Sequence, residues 1–233
     1  MRGRRRALAR EAAAAQEAED AMARKYGGPV SERRQARMRS VLERRQLDLT
    51  VVMEDLADPH NGAAVYRSAE AFGLGRVHIV TDRAPWPGVH PAVAASAHRW
   101  VETKRWWDPE LCCKALQDEG LTVLCAALDD DARDYRDVDW TRPTALVLGQ
   151  EKRGVSEAMK ARADGCVVVP MVGFAQSLNV SVCGWIILSE ALRQRRVAGL
   201  TAPRWDEDRQ ALLDAWVARE EGLPPDTEGM RTG

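Results

Sequence analysis

Three short stretches of the sequence hold residue types that could do chemistry. Asp58-Pro59-His60-Asn61-Gly62 is followed by Arg67, and Gly149-Gln150-Glu151-Lys152-Arg153-Gly154 sets a carboxylate beside two cations. The third, Gln176-Ser177-Leu178-Asn179, pairs a hydroxyl with an amide. Together these groups suit the holding of a polar substrate. Arg67 carries a guanidinium, whose fork grips phosphate oxygens in two-point contacts. Other chemistries fail on spacing. Gly149 and Gly154 stand as the outer glycines of a phosphate loop would, yet the Lys-Ser/Thr that should follow is missing, and no GxGxxG follows a strand. No histidine lies beyond Ser177 to complete a nucleophilic triad. His60, His78, His90 and His98 show neither HExxH nor Cys/His ligand spacing, so no metal is expected.

Taken singly, each residue has an ordinary structural role. Asn61 or Asn179 could cap a helix, Glu151 could be a surface carboxylate, and Arg67 could be solvated. Their location separates the two readings. Residues 49–53, 77–80, 121–128, 144–148 and 166–170 are apolar or β-branched runs of strand length, and 98–106 is a further strand candidate. Helices are predicted between them: 62–72 with Gly73 at its C′ position, one capped by Asp108 with Pro109 behind it, one from Ser156 to about residue 163, and a long one over 178–196. The alternation predicts an α/β fold with a mainly parallel six-stranded sheet plus N- and C-terminal helical extensions. Ligands of such sheets bind beyond the carboxyl ends of the strands, and all three stretches stand there.

Composition narrows the class. Apolar residues make up 45% and charged residues 30% of 233, which suits a soluble globular chain. The longest apolar run, 166–175, is half of the roughly 20 residues a membrane helix needs. Arg2, Arg4, Arg5 and Arg6 lead into no apolar segment, and Glu11, Glu17, Glu19 and Asp20 speak against a transit peptide, so a cytoplasmic location is expected. Cys112, Cys113, Cys125, Cys166 and Cys183 form no CxxC pair and sit among apolar neighbours, as small buried hydrophobes of a reducing compartment do.

With the motifs in view, the chain resembles the SPOUT superfamily of knotted RNA methyltransferases, in its TrmH branch. Asn61-Gly62-Ala63-Ala64-Val65-Tyr66-Arg67 resembles the first motif of that family, and Leu148-Gly149-Gln150-Glu151-Lys152-Arg153-Gly154-Val155-Ser156 the second. Val169-Pro170-Met171 through Ser177-Leu178-Asn179-Val180-Ser181-Val182 resembles the third. Ser96-Ala97-His98-Arg99-Trp100-Val101 and Asp131-Ala132-Arg133-Asp134-Tyr135-Arg136-Asp137-Val138-Asp139 are similar to segments of the enzymes that methylate the 2′-hydroxyl of the D-loop guanosine in tRNA. Two departures are Trp185, where the family has a small residue, and the length of residues 1–30.

The resemblance implies a C-terminal deep trefoil knot, a homodimer, and S-adenosylmethionine held in the knot by Ala126, Leu128, Gly149, Val169, Met171 and Leu178. It implies catalytic roles for Arg67, Asn61, Glu151, Ser177 and Asn179, with Arg67 central. The substrate it implies is tRNA, with rRNA as the alternative and a catalytically silent RNA-binding protein as the reading from another class.

Charge adds a place for the RNA. Residues 1–47 carry thirteen Lys and Arg against six Asp and Glu, residues 206–233 carry three against eight, and arginine outnumbers lysine 29 to 5. Guanidinium forks grip phosphate oxygens, so Arg33, Arg34, Arg37, Arg39, Arg44 and Arg45 are the expected RNA contacts, followed by Arg193, Arg195 and Arg196. The expected organisation is a charged extension over 1–30, a basic helix over 31–47 opened by Ser31, the knotted domain over 48–199, and a tail over 200–233 with an acidic helix near 206–221. The last helix of the domain carries Leu178, Val180, Val182, Trp185, Ile186, Leu188 and Leu192, more apolar surface than one sheet face covers, which is the physical reason to expect the homodimer.

Overall fold

The computed structural model describes residues 29–83, 86 and 97–222, divided into two compact units, Arg45–Ala202 and Met1–Arg44 with Pro203–Gly233. The expected extension over 1–30, Ser96, and the loop carrying Pro85, Pro87, Gly88 and Pro91 lie wholly or almost wholly outside the described residues.

The unit Arg45–Ala202 is a parallel sheet of seven strands in the order β3-β2-β1-β6-β4-β7-β5. The strands are β1 (Leu49–Glu54), β2 (Arg76–Val80), β3 (Glu102–Trp106), β4 (Thr122–Ala126), β5 (Arg133–Asp134), β6 (Thr144–Leu148) and β7 (Gly165–Val168). Every residue of β1 and β6 is buried, as befits central strands covered on both faces. The expected six strands are corrected to seven. The addition is β5, two polar residues paired to Val167 and Val168, too short to leave any period in the sequence. The strand expected over 98–106 also begins later, because Ala97–Arg99 forms a 3₁₀ turn first.

Helices α2 (Pro59–Ala71) and α5 (Val180–Val197) cover one face; α3 (Pro109–Asp118) and α4 (Glu157–Arg162) cover the other. The first face packs Met53, Tyr66, Leu146 and Ile187, the second Val52, Cys112, Cys125 and Met159. Capping explains where the helices start. Asp58 accepts from the His60 N–H at 2.8 Å with Pro59 just inside, so α2 begins three residues before the expected start and Asn61 lies within its first turn. Ser156 caps α4, and Asn179 caps α5. Gly73 ends α2 at a φ of 78°, a left-handed conformation that favours glycine.

Two arginines expected on the RNA-facing surface are core residues of this unit. Arg195 is fully buried: its Nε donates to the Trp140 carbonyl at 2.9 Å, Nη2 to the Arg142 carbonyl at 3.0 Å, and Nη1 to Asp48 at 2.7 Å and Gln46 at 3.1 Å. Arg45 is 1% exposed and donates to the Leu74 carbonyl at 2.6 Å and to Glu70 at 3.4 Å. Burial keeps both forks from a phosphate, which corrects their expected place among the RNA contacts.

The second unit contains α1 (Glu32–Leu42), capped by Ser31, and α6 (Glu207–Glu220), capped by Asp206. Met38, Leu42, Leu213 and Trp216 are buried, and Arg209 inserts its Nε against the Leu42 carbonyl at 3.1 Å. Arg34 pairs with Glu220 at 3.1 Å, and the Arg39 guanidinium lies 3.8 Å from the centre of the Trp205 ring. Arg33, Arg37, Arg39 and Arg44 are exposed.

Candidate active site

Glu151 sits in a tight loop after β6. Gln150 and Gly154 exchange backbone hydrogen bonds of 3.2 and 2.7 Å, and the Gln150 side-chain oxygen accepts from the N–H groups of Lys152 and Arg153. Glycine is required at 149, where a Cβ would lie 2.2 Å from the Gly154 carbonyl carbon and the Val155 nitrogen. The loop aims the Glu151 carboxylate at the start of α2. There it accepts from the N–H groups of Ala57 (3.0 Å) and Asp58 (3.2 Å) and from Asn61 Nδ2 (2.9 Å). Partial burial opposes its ionisation, but these donors outweigh burial and hold the carboxyl below its ordinary range.

The amide of Asn61 continues the chain. Its Oδ1 accepts from Asn179 Nδ2 at 3.0 Å, and Asn179 Oδ1 in turn accepts from the Ser181 and Val182 N–H groups at 2.9 and 3.3 Å. One line of hydrogen bonds thus links the ends of β1 and β6 to the first turn of α5.

Beside this line opens a cleft of about 510 Å³ at the carboxyl ends of β4, β6 and β7. Ala126, Leu128, Gly149, Val169, Met171 and Leu178 all line it, as do Glu151, Ser177 and Asn179. Asn61 stands behind them as the link. Arg67 is not part of the lining; it is exposed on α2, nearly two turns beyond Asn61, with no ion-pair partner among the described residues.

Comparison with known proteins agrees with the three motifs. Residues 48–189 match the SpoU rRNA Methylase family. The chain belongs to the SpoU methylase family. The tRNA (guanosine(18)-2'-O)-methyltransferase of Thermus thermophilus is 43% identical over 191 residues, covering 81% of this chain and 98% of that protein. The crystal structure of the Aquifex aeolicus TrmH/SpoU tRNA modifying enzyme superposes with a TM-score of 0.76 at 34% identity, over 81% of this chain and 97% of that one. The SpoU methyltransferase AviRb of Streptomyces viridochromogenes, solved in complex with AdoMet, superposes at a TM-score of 0.58 and 27% identity, over 66% of this chain and 62% of that one.

The cleft of this SpoU methylase has the size of a small-molecule site. Its volume lies within the roughly 300–1,000 Å³ common for cofactor and small-molecule pockets, and apolar side chains make much of its wall. Sequence reasoning missed a charged part of that wall. Lys160 lies 2.8 Å from Glu157 and 3.2 Å from Asp129, and the Cys166 thiol donates to the other Asp129 oxygen at 3.3 Å. The run Asp129-Asp130-Asp131 just after β4 was the available signal for Asp129; Lys160, on a short amphipathic helix, left none.

Asp55 was missed as well. It is non-glycine yet adopts a φ of 53°, and its buried carboxylate accepts from the Asp82 N–H at 3.0 Å and from Arg83 Nε at 2.8 Å, tying the loops after β1 and β2 together. Among the described residues, no group of three or more His, Cys, Asp and Glu is placed to hold a metal ion, and no helix is long and apolar enough to cross a membrane.

Proposed function

We propose that the chain is an S-adenosylmethionine-dependent tRNA 2'-O-methyltransferase whose target is the D-loop guanosine named in its relatives, guanosine 18. The observation that carries this reading is the line from Glu151 through Asn61 to Asn179, which joins the three polar loops at the rim of a nucleoside-sized cleft. When bound, S-adenosylmethionine supplies an electrophilic methyl carbon on a sulfonium. Ala126, Leu128, Val169, Met171 and Leu178 would hold its adenosine part against apolar wall and backbone amides, while Gly149 lets the loop after β6 close on it. A ribose hydroxyl is a poor nucleophile near neutral pH, and developing alkoxide charge needs a partner. Arg67 is that partner in this reading, a guanidinium with no ion-pair partner among the described residues. Ser177, exposed at the rim, would receive the nucleotide, and Glu151 and the two asparagines would keep the loops in place.

The same reading includes a C-terminal knot and a homodimer. For the knot, the support is the strand order: β6 inserts between β1 and β4, β7 inserts between β4 and β5, and α5 then packs beside α2. For the dimer, Val182 and Trp185 on α5 are 46% and 39% exposed, and Trp185 meets Phe72 at the end of α2 edge to face at 4.9 Å. The surface arginines of α1 would hold the tRNA backbone, and a cytoplasmic setting fits such a substrate.

Incubating the protein with labelled S-adenosylmethionine and separate tRNA and rRNA pools, then mapping the modified nucleotide, tests the reading. Label at the D-loop guanosine is expected. The family description, SpoU rRNA Methylase, favours the one rival worth testing beside it, and label confined to rRNA would establish that instead. Label in neither pool would leave a binding protein without transferase activity.

A further inference from the structure

The loop between β7 and α5 carries Val172 and Phe174 at 106% and 109% exposure, so neither side chain touches a neighbour that shields it. The chain has two phenylalanines, and the other, Phe72, packs against the core. At Gly173, between the exposed pair, an added Cβ would meet nothing within 4 Å. Yet this is no remote loop. Met171 at its start and Ser177 and Leu178 at its end line the cleft, so Phe174 projects from a segment anchored in the site on both sides.

The loop after β6 contributes a complementary pair to the same cleft. Lys152 and Arg153 line it, both are exposed, and neither has an ion-pair partner among the described residues. The acids nearby do not neutralise them: Asp129 and Glu157 are taken by Lys160, and Glu151 by the Asn61 amide and two backbone N–H groups. The cleft therefore carries two uncommitted cations and a bare aromatic ring on its two bordering loops. A second protein copy docking here would have to desolvate both cations, which is costly without matching acids. A nucleotide instead meets each group with its own counterpart: phosphate for the cations, a base for the ring.

We propose that Phe174 stacks on the base of the nucleotide to be methylated while Lys152 and Arg153 hold a flanking phosphate, which sets that nucleotide's ribose over the cleft. The inference rests on the methyl-transfer reading and extends it to how the target nucleotide is seated. Stacking on an aromatic side chain tolerates any base, so Phe174 supplies grip and orientation rather than sequence choice.

The test uses the full chain and a tRNA in which 2-aminopurine replaces the target guanosine, with kinetics on unmodified tRNA in parallel. For Phe174→Ala, kcat/KM for tRNA should fall roughly 10- to 100-fold, the range expected for one lost base-aromatic stack. S-Adenosylmethionine affinity and sedimentation behaviour should stay as in the wild type. Phe174→Trp should restore most of the loss and Phe174→Leu little, which separates stacking from mere apolar bulk. The 2-aminopurine emission, quenched on binding the wild type, should stay bright with Phe174→Ala. Lys152→Gln with Arg153→Gln should lower the slope of log affinity against log salt by about 1 to 2. Equal emission with wild type and Phe174→Ala, or a fully active Phe174→Leu, would overturn the proposal while the methyltransferase reading stands. Dissociation of the Phe174→Ala protein into monomers would overturn it in favour of a contact between copies. A wild-type protein that methylates no tRNA would remove the reading and this proposal together.

Discussion

Asn179 Nδ2 donates to Asn61 Oδ1 at 3.0 Å, across 118 positions of sequence. Because Asn61 Nδ2 donates to Glu151 and Asn179 Oδ1 caps α5, every amide group in the line has one role, and neither amide can flip without breaking two bonds. Asn61→Ala strands the Asn179 donor and removes one partner of Glu151, which should cost about 1–3 kcal/mol of stability and most of the turnover. Asn61→Asp is expected to be worse, since it puts a second carboxylate against Glu151. The gap between the two variants should narrow as the pH falls toward 5 and the carboxylates come to share a proton. Urea melts and turnover at pH 8 and pH 5 check this; equal behaviour of the two variants at pH 8 would mean that Glu151 is not held by Asn61.

Arg67 stands outside the cleft lining, and that predicts a separation of effects. Arg67→Ala should leave S-adenosylmethionine affinity within about twofold while lowering kcat by roughly 100- to 1,000-fold, the scale of losing one transition-state charge partner. Calorimetric titration and single-turnover methylation measure the two quantities. Full turnover in the variant would take Arg67 out of the mechanism.

The polar stretches could be read from the sequence because each interrupts an apolar strand pattern, and the cap residues Asp108, Ser156 and Asp206 stand where the helices begin. What could not be read depends on partners far along the chain. Arg195 resembles any basic residue near the end of a helix, and only the folded chain brings Gln46 and Asp48 to it from 149 and 147 positions away. The strand β5 escaped because two polar residues carry no periodicity. The start of α2 is hard to read because Asn61-Gly62 looks like a boundary, whereas Asp58-Pro59 is the stronger capping pair.

Arg195 now yields a prediction of its own. Its five-donor fork meets two carbonyls, an amide oxygen and a carboxylate in a fully buried position, so truncation leaves several acceptors unsatisfied. Arg195→Met should destabilise by about 3–5 kcal/mol. Lysine should not rescue it, having no planar fork. Urea unfolding gives the number, and a loss under about 1 kcal/mol would show that the fork carries little of the local stability.

His78 makes stability depend on pH. Burial, with Arg76 and Lys104 adding to it, pushes its pKa down to about 3, and its Nδ1 accepts from Trp106 Nε1 at 3.0 Å. An unfolded histidine titrates near 6.5, so as the pH falls the unfolded chain takes up a proton that the folded one refuses. The contribution is therefore complete above about pH 6.5 and is lost progressively toward pH 3, by on the order of 4–5 kcal/mol across the window. His78→Gln should flatten the dependence between pH 6.5 and 4 by about one proton. Parallel curves for variant and wild type in urea titrations would mean that another group governs it.

The basic helix α1 predicts how binding responds to salt. Arg33 and Arg37 lie one turn apart on its exposed side and Arg44 just beyond its end; Arg34 pairs with Glu220, and Arg39 with Glu43 at 3.7 Å. Arg33, Arg37 and Arg44 are exposed along one stretch of this helix and its end, so they are the first candidates for phosphate contacts. Each phosphate neutralised releases counterions and steepens log affinity against log salt by about 0.7–0.9. Replacing the three by glutamine should lower the slope by roughly 2, weaken all tRNAs alike because phosphate contacts read no sequence, and leave S-adenosylmethionine affinity unchanged. Filter-binding titrations at several salt concentrations decide the matter. An unchanged slope would place the backbone contacts elsewhere, and Arg196 is then the next residue to replace, since it is exposed while Arg193 is clamped by Glu190 at 2.7 Å and Arg195 is buried.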